Sequence, residues 1–397
     1  MFCRVNKGKF INIILFFFLF ILVFPFYTMA EQPSFDLTAK SALLMQVNTG
    51  EILYEKNPHQ KLPPASMTKI MTMLLVMEAL EDGRASLRDS IIVSERAASM
   101  GGSQVYLEPG EEMTLEDLMK AIAIASANDA CVAVAEYLYG TEEDFVKKMN
   151  EKARELGCKN TYFYNTNGLP PGDPSVEGNY TSAYDLAIMS RELLKYPEVL
   201  KWTSTWIDYL RDGEFVLNNT NRLVRHYKGV DGIKTGYTEE AKFCVATTAA
   251  RNGIRFIAVI MGADTSKARF KEAAQLLSYG FSKYRSFIVA DKEEVIDEIT
   301  IQNAKNEQAR VLTRNKVVIP VKKGEEDEIT KKIIIKENIK APLKKGDSVG
   351  KIRIYKGNLL LKEADLVIDR DVTRASLWQM ITRIIKMMVT SLVKLFT

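Results

Sequence analysis

Three short motifs stand in order along this 397-residue chain: Ser66-Met-Thr-Lys69, Ser126-Ala-Asn128 and Lys234-Thr-Gly236. Together they supply a nucleophile, two candidate proton carriers and a cationic anchor, with no histidine among them. Ser-x-x-Lys by itself carries little information, since Ser348 to Lys351 and Ser391 to Lys394 fit it as well. What separates Ser66 is its setting. Pro63-Pro64-Ala65 precedes it and Ile70-Met-Thr-Met-Leu-Leu-Val76 follows, which reads as a buried helix entered through a proline-fixed turn. A serine on the first turn has its backbone N–H near the positive helix end. Lys69, three residues on, lies on the same face within reach of the Ser66 hydroxyl.

For Lys69 to take that proton directly, its amine must be neutral part of the time. An ordinary lysine with a pKa of ~10.4 is neutral only ~0.04% of the time at pH 7. Lowering its pKa to 7 takes roughly 4.6 kcal/mol, within what burial and a second nearby cation supply. Lys234 would be that cation if it faces the same cleft. The residues leave open whether Lys69 is the base throughout or shares the work with Ser126. Lys234 and Thr235 suit a terminal carboxylate, as a point charge and a hydroxyl donor. Gly236 removes a side chain where a substrate backbone could approach a strand edge and pair with it. Ser126-Ala-Asn128 alone is equally a helix-to-helix turn with Asn128 or Asp129 as an N-cap. Its place between the other two motifs favours the functional reading.

At these residues the chain resembles the penicillin-binding proteins and serine β-lactamases, and within them the low-molecular-mass, serine-type D-Ala-D-Ala carboxypeptidases. The resemblance runs from Ser34 to the C-terminus. It is most specific at Pro64-Ala-Ser-Met-Thr-Lys69, Thr181-Ser-Ala-Tyr-Asp-Leu186 and Gly232-Ile-Lys-Thr-Gly-Tyr-Thr238. It implies Ser66 as the acylated nucleophile, Ser126 relaying a proton to the departing amine, and Asn128 orienting Lys69 and a substrate amide. The oxyanion would lie between the Ser66 N–H and, by resemblance, the Tyr237 N–H. Substrate binding then falls to Asn128, Lys234, Thr235, Gly236 and Tyr237. The implied substrates are peptidoglycan stem peptides, with β-lactam antibiotics as covalent inhibitors. No cofactor and no metal are expected: there is no His-Glu-x-x-His and no cluster of ligands. His59 and His226 are the two histidines, both in polar loop-like stretches, which argues against a Ser-His-Asp triad. Glu177 lies where the resemblance to β-lactamases would place a deacylating carboxylate, but Pro174-Ser-Val-Glu-Gly-Asn179 lacks Glu-x-x-Leu-Asn, so it reads as a loop residue.

The elements that must position these residues are an α+β domain with an antiparallel sheet and helices, over residues 31–286, then a small all-β domain over 287–375. Ser41 to Lys56 reads as a hairpin around Asn48-Thr-Gly50. Helical patterns fill Ile70 to about Lys195. Lys242 to Ala249 and Ile254 to Met261 are strands joined at Arg251-Asn-Gly253, and Ser266 to Tyr284 a closing helix. Later, Lys316 to Val321, Lys332 to Lys336 and Leu359 to Leu361 are short β-branched or apolar runs between charged turns.

Both ends speak to location. Residues 1–30 read as a secretory signal: Arg4, Lys7 and Lys9, an apolar run from Ile13 to Tyr27, then Thr28-Met-Ala30. Fifteen apolar residues fall short of the roughly 20 of a spanning helix. Losing those three cations lowers the formal charge from +4 to +1, which gives nucleic-acid binding no support. Residues 376–397 carry Arg383, Lys386 and Lys394 and no acid, with a wide apolar arc opposite, as in a helix lying in a membrane surface. The alternative is a terminal helix packed on its own protein. Cys131, Cys158 and Cys244 remain after the signal, an odd number without metal-like spacing. The expectation is an exported carboxypeptidase, peripheral on the outer face of the cytoplasmic membrane. The same site could serve an endopeptidase, transpeptidase or β-lactamase, and an idle wall-binding protein is the non-enzymatic rival.

Overall fold

The computed structural model describes residues 35–396; the expected signal at 1–30 lies outside them. The first strands are β1 (Ser41–Gln46) and β2 (Ile52–Lys56), a hairpin whose turn has Gly50 at φ 76°. Helix α1 (Lys69–Glu81) follows, with Ile70 to Met77 all buried. A helix apolar on every side belongs inside a core, and α1 lies at the centre of this one. Helices α2 (Asn128–Tyr139) and α3 (Ala183–Leu193) pack on it. The chain then returns to the sheet as β3 (Val230–Thr238), β4 (Lys242–Arg251) and β5 (Ile254–Ala263), and α4 (Ser266–Lys283) closes the domain over β5.

The sheet order is β2-β1-β5-β4-β3, all antiparallel, which leaves β3, carrying Lys234-Thr-Gly236, at an edge. β1 and β5 are buried almost throughout, as central strands covered on both faces are. The expected turn at Asn252-Gly253 joins β4 to β5, both residues at positive φ.

After α4 the chain is all β: β6 (Tyr284–Ala290), β7 (Val295–Thr300), β8 (Gln308–Thr313), β9 (Val317–Lys322), β10 (Ile329–Ile335), β11 (Ser348–Lys356) and β12 (Leu359–Ile368). β6 pairs with β9, and the other five form a sheet in the order β7-β8-β12-β11-β10. Val289 to Val372 supply a second hydrophobic core, distinct from the one around α1. The Ser-x-x-Lys run at Ser348 to Lys351 lies in β11, where the pairing with β12 is irregular between Ser348 and Gly350. The last helix, α5 (Leu377–Phe396), opens with a capping box: Gln379 N–H to Ser376 Oγ at 3.3 Å, and Ser376 N–H to Gln379 Oε1 at 3.0 Å. No helix among the described residues is long and apolar enough to cross a membrane.

Candidate active site

Ser66 lies one turn ahead of where the sequence pattern set it. It sits in a 3-10 turn, Ala65–Thr68, and Lys69 is the first residue of α1. With three residues per turn, side chains at i and i+3 eclipse, so the tighter turn brings Ser66 and Lys69 together more directly than an α-helix would. Ala65 holds φ 48°, a left-handed conformation uncommon for a residue with a Cβ. Ser126 is left-handed as well, at φ 65°, where a π-helical turn (Ala121–Ala125) ends before α2. Such backbone persists where surrounding packing dictates it, and it gathers at functional sites.

The Lys69 amine is the hub. It donates to Ser66 Oγ at 2.9 Å, Ser126 Oγ at 3.3 Å and Asn128 Oδ1 at 2.6 Å, which occupies all three of its N–H groups. Asn128 is itself held: its Nδ2 donates to Gly101 O and its backbone N–H to Ser103 O, both at 2.7 Å. It is the first residue of α2 after an Ala127 cap, so neither Asn128 nor Asp129 caps that helix. Asp129 instead accepts from the backbone N–H groups of Val105 and Leu107, at 3.0 and 3.2 Å. Arg211 grips the same loop from its carbonyls, donating to Val105 O and Tyr106 O. The loop that fixes Asn128 is thus clamped on both polar sides.

The Lys69 and Lys234 amines are both fully buried. Burial lowers Lys69 to about 8, against weaker opposing pulls from Cys131 and Asp129. At pH 7 that leaves about a tenth of the amine neutral, some two hundred times the ordinary fraction. Lys234 is held well below its ordinary value, by burial first and then by Lys69 and Arg269, with Cys131 opposing. Repulsion from Lys69 thus acts on Lys234 and adds to the larger effect of desolvation, whereas Lys69 itself is lowered by burial rather than by the second cation. Lys234 Nζ donates to Thr235 O at 3.3 Å and Thr235 Oγ1 to Thr220 Oγ1 at 2.7 Å.

Gly236 meets a different neighbour from the one its type suggests. The sequence reading gave its missing side chain to substrate approach. A Cβ there would stand 2.6 Å from Pro64 O and 3.2 Å from Ser66 N, so the glycine lets β3 lie directly on the Ser66 turn. Arg269 of α4 donates to Gly236 O at 3.0 Å and Cys244 O at 3.2 Å. Tyr237 is half exposed at 53% and stacks on Phe243 across the β3–β4 register. Neither histidine bonds to Ser66 or Lys69; His226 ends a one-turn helix, Leu223–His226, rather than lying in a loop. No group of three or more metal-ligating side chains occurs among the described residues.

Sequence reasoning missed Asp129, Thr220, Arg269 and Gly168. A Cβ on Gly168 would sit 1.9 Å from Ala65 O, so its loop rests on the Ser66 turn. The one local sign was Asn165-Thr-Asn-Gly168, a turn-forming run.

A serine bonded to a buried lysine, with a second serine and an asparagine on the same amine and a Lys-Thr-Gly edge strand beside them, defines an active-site serine enzyme of the penicillin-binding type. The profile described as D-alanyl-D-alanine carboxypeptidase matches residues 27–265, and that described as the C-terminal domain of penicillin-binding protein 5 matches 284–374. The chain belongs to the D-alanyl-D-alanine carboxypeptidase family. It is 48% identical to D-alanyl-D-alanine carboxypeptidase DacF of Bacillus subtilis, over 85% of this chain and 86% of that one. Among solved structures it is similar to the peptidoglycan synthesis regulatory factor PBP3 of Streptococcus pneumoniae (29% identity, TM-score 0.71, 85% and 100% of the two chains). It is also similar to penicillin-binding protein D2 of Listeria monocytogenes in an ampicillin-bound form (34% identity, TM-score 0.58, 63% and 100%).

Proposed function

We propose that this chain hydrolyses the bond between the two terminal D-alanines of peptidoglycan stem peptides, with Ser66 as nucleophile. The convergence of Ser66, Ser126 and Asn128 on one buried amine carries the reading. Neutral Lys69 takes the hydroxyl proton as Ser66 Oγ attacks the penultimate carbonyl. The N–H groups of Ser66 and Tyr237 hold the oxyanion, while Lys234 and Thr235 hold the terminal carboxylate. As the tetrahedral intermediate collapses, the proton passes through Ser126 to the leaving amine and D-alanine departs. Water then cleaves the acyl ester, releasing the shortened peptide and restoring Ser66. A β-lactam acylates the same serine and clears slowly. The same reading has residues 1–30 removed on export, 31–286 catalytic, and 287–375 a spacer. Residues 376–397 then lie on the outer face of the cytoplasmic membrane.

D-alanine release from a diacyl-Lys-D-Ala-D-Ala peptide tests the reaction. The protein beginning at Glu31 releases it and Ser66→Ala does not; a penicillin adduct that survives Ser66→Ala would exclude Ser66 as the nucleophile.

A further inference from the structure

The segment 160–165 runs extended beside Tyr180, with Tyr162 and Tyr180 exchanging backbone hydrogen bonds at 2.9 and 3.0 Å. Directly opposed residues of an antiparallel pair share a face, and so do residues two apart on one chain. Tyr162, Tyr164 and Tyr180 therefore stand on one side, while Phe163, 1% exposed, enters the core on the other. Tyr162 and Tyr164 are 37% and 43% exposed, and the Tyr162 and Tyr180 rings lie side by side at 5.8 Å. The Lys61 ammonium covers one face of Tyr180, 4.5 Å from its centroid, which leaves Tyr162 and Tyr164 as the open rings. The backbone beneath them is pinned. Asn150 accepts the Phe163 N–H at 2.9 Å and donates to Phe163 O at 2.7 Å, and Asp185 accepts from Asn160 N–H at 2.7 Å and Thr161 Oγ1 at 2.8 Å. Asn179 ties the tyrosines to the Ser66 turn: its Oδ1 accepts the Tyr164 N–H at 2.6 Å and its Nδ2 donates to Thr68 Oγ1 at 2.9 Å. The rings are thus set relative to Ser66 before any ligand arrives, which lowers the ordering cost of binding.

What reaches this face follows from the direction of the substrate, and the inference rests on the carboxypeptidase reading. With the terminal carboxylate at Lys234 and Thr235, the scissile carbonyl, one residue earlier in the peptide, lies at Tyr237, later in β3. The peptide thus runs antiparallel to β3, and its N-terminal part leaves past Thr238. Lys61 and Tyr180 line the same cavity as Thr238, so the tyrosine face continues the cleft outward. A stem peptide is joined at its N-terminal end to the sugar chain of the wall. A pyranose has an apolar C–H face and a rim of hydroxyl and acetamido groups, and tyrosine matches it with an apolar ring and a hydroxyl at the tip. A lipid surface would call for aliphatic side chains and free cations, and here the one lysine already lies over a ring.

We propose that Tyr162 and Tyr164, braced by Tyr180, form a platform for the glycan strand that carries the stem peptide. The test compares kcat/KM for D-alanine release from N-acetylglucosaminyl-N-acetylmuramoyl pentapeptide and from the same pentapeptide N-acetylated at its first residue. The wild-type protein favours the sugar-bearing substrate by roughly fivefold, as expected for two ring contacts. The ratio falls towards one in Tyr162→Ala/Tyr164→Ala and is largely kept in Tyr162→Phe/Tyr164→Phe, which retains the rings. Because it is a ratio within one protein, partial loss of folding cancels. A wild-type ratio near one, a preference that survives the double alanine substitution, or one lost equally in the phenylalanine variant overturns the platform alone. Failure to cleave either substrate overturns the carboxypeptidase reading and the platform with it.

Discussion

Gly236 and Ser66 meet backbone to backbone, with the space for a Cβ on Gly236 closed by Pro64 O at 2.6 Å and Ser66 N at 3.2 Å. The third motif is therefore a packing surface for the first as well as a wall of the cleft. Gly236→Ala should push β3 off the Ser66 turn by a fraction of an ångström to an ångström. Displacements of that size at reacting groups cost on the order of 100-fold in rate. The measurement is the acylation rate with a fluorescent penicillin, alongside the thermal midpoint. Acylation at the wild-type rate would mean that the turn yields without disturbing the site.

The two buried amines predict a specific pH behaviour. In the free enzyme Lys69 loses its proton near 8, so kcat/KM should rise with pH through about 8. A substrate carboxylate at Lys234 supplies the counter-charge that burial denies it and favours the ammonium form there. That cation then repels a proton on Lys69. Acylation at saturating peptide should consequently rise at a lower pH than kcat/KM does, and coincidence of the two profiles would break this coupling. Stability carries the opposite face of the same effect. The folded value of Lys69 lies below its unfolded 10.5, so its cost is full below about 8 and is relieved as pH climbs from about 8 to 10.5. Lys69→Met removes the cost at every pH. Its stability advantage in urea titrations should shrink across that window.

What the sequence made legible is what local chemistry dictates. Asn48-Thr-Gly50 and Asn252-Gly253 need positive φ and mark their hairpins, and Ser376 with Gln379 marks the start of α5. The run after Lys69 is apolar all round and had to be a buried helix. The motif residues declared themselves by type and spacing. Their supports did not. Arg269 reaches Gly236 from 33 positions away, and Asn179 reaches Thr68 from 111. Nothing local distinguishes such an arginine or asparagine from one facing water. The left-handed Ser126 was hidden for the same reason: its conformation comes from a π-turn set by packing, in a run of alanines and isoleucines that propensity reads as plain helix.

Asp129 was among the hidden supports, and it is fully buried. Its carboxylate accepts three backbone N–H groups, from Val105, Leu107 and Ala130. Removing such an acceptor strands buried donors at about 1–3 kcal/mol. Asp129→Ala should lose stability in that range by urea denaturation. Acylation should slow as well, since the freed loop carries Gly101 and Ser103, which hold Asn128. Asp129→Asn, which keeps an oxygen acceptor, should recover part of both. Unchanged kinetics in a destabilised Asp129→Ala protein would separate the loop from the site.

The tail helix presents its faces in a telling order. Arg383, on its polar arc, donates to Ala304 O and Lys305 O and pairs with Glu307, all within the β-domain. Leu377, Trp378, Ile381, Ile385 and Met388, on the apolar arc, are exposed. A terminal helix stabilised by its own protein would bury that arc. Here Arg383 is docked and these apolar residues are exposed, which is what the proposed contact with a lipid surface requires. Ending the protein at Ala375 should move it to the soluble fraction with D-alanine release intact. Trp378→Glu/Ile385→Glu in the full chain should do the same without removing a residue, because each charge costs heavily in an apolar layer. Flotation with anionic liposomes reads both. Continued flotation of the shortened protein would assign membrane binding to another surface, and flotation of the doubly charged variant would assign it to the basic arc alone.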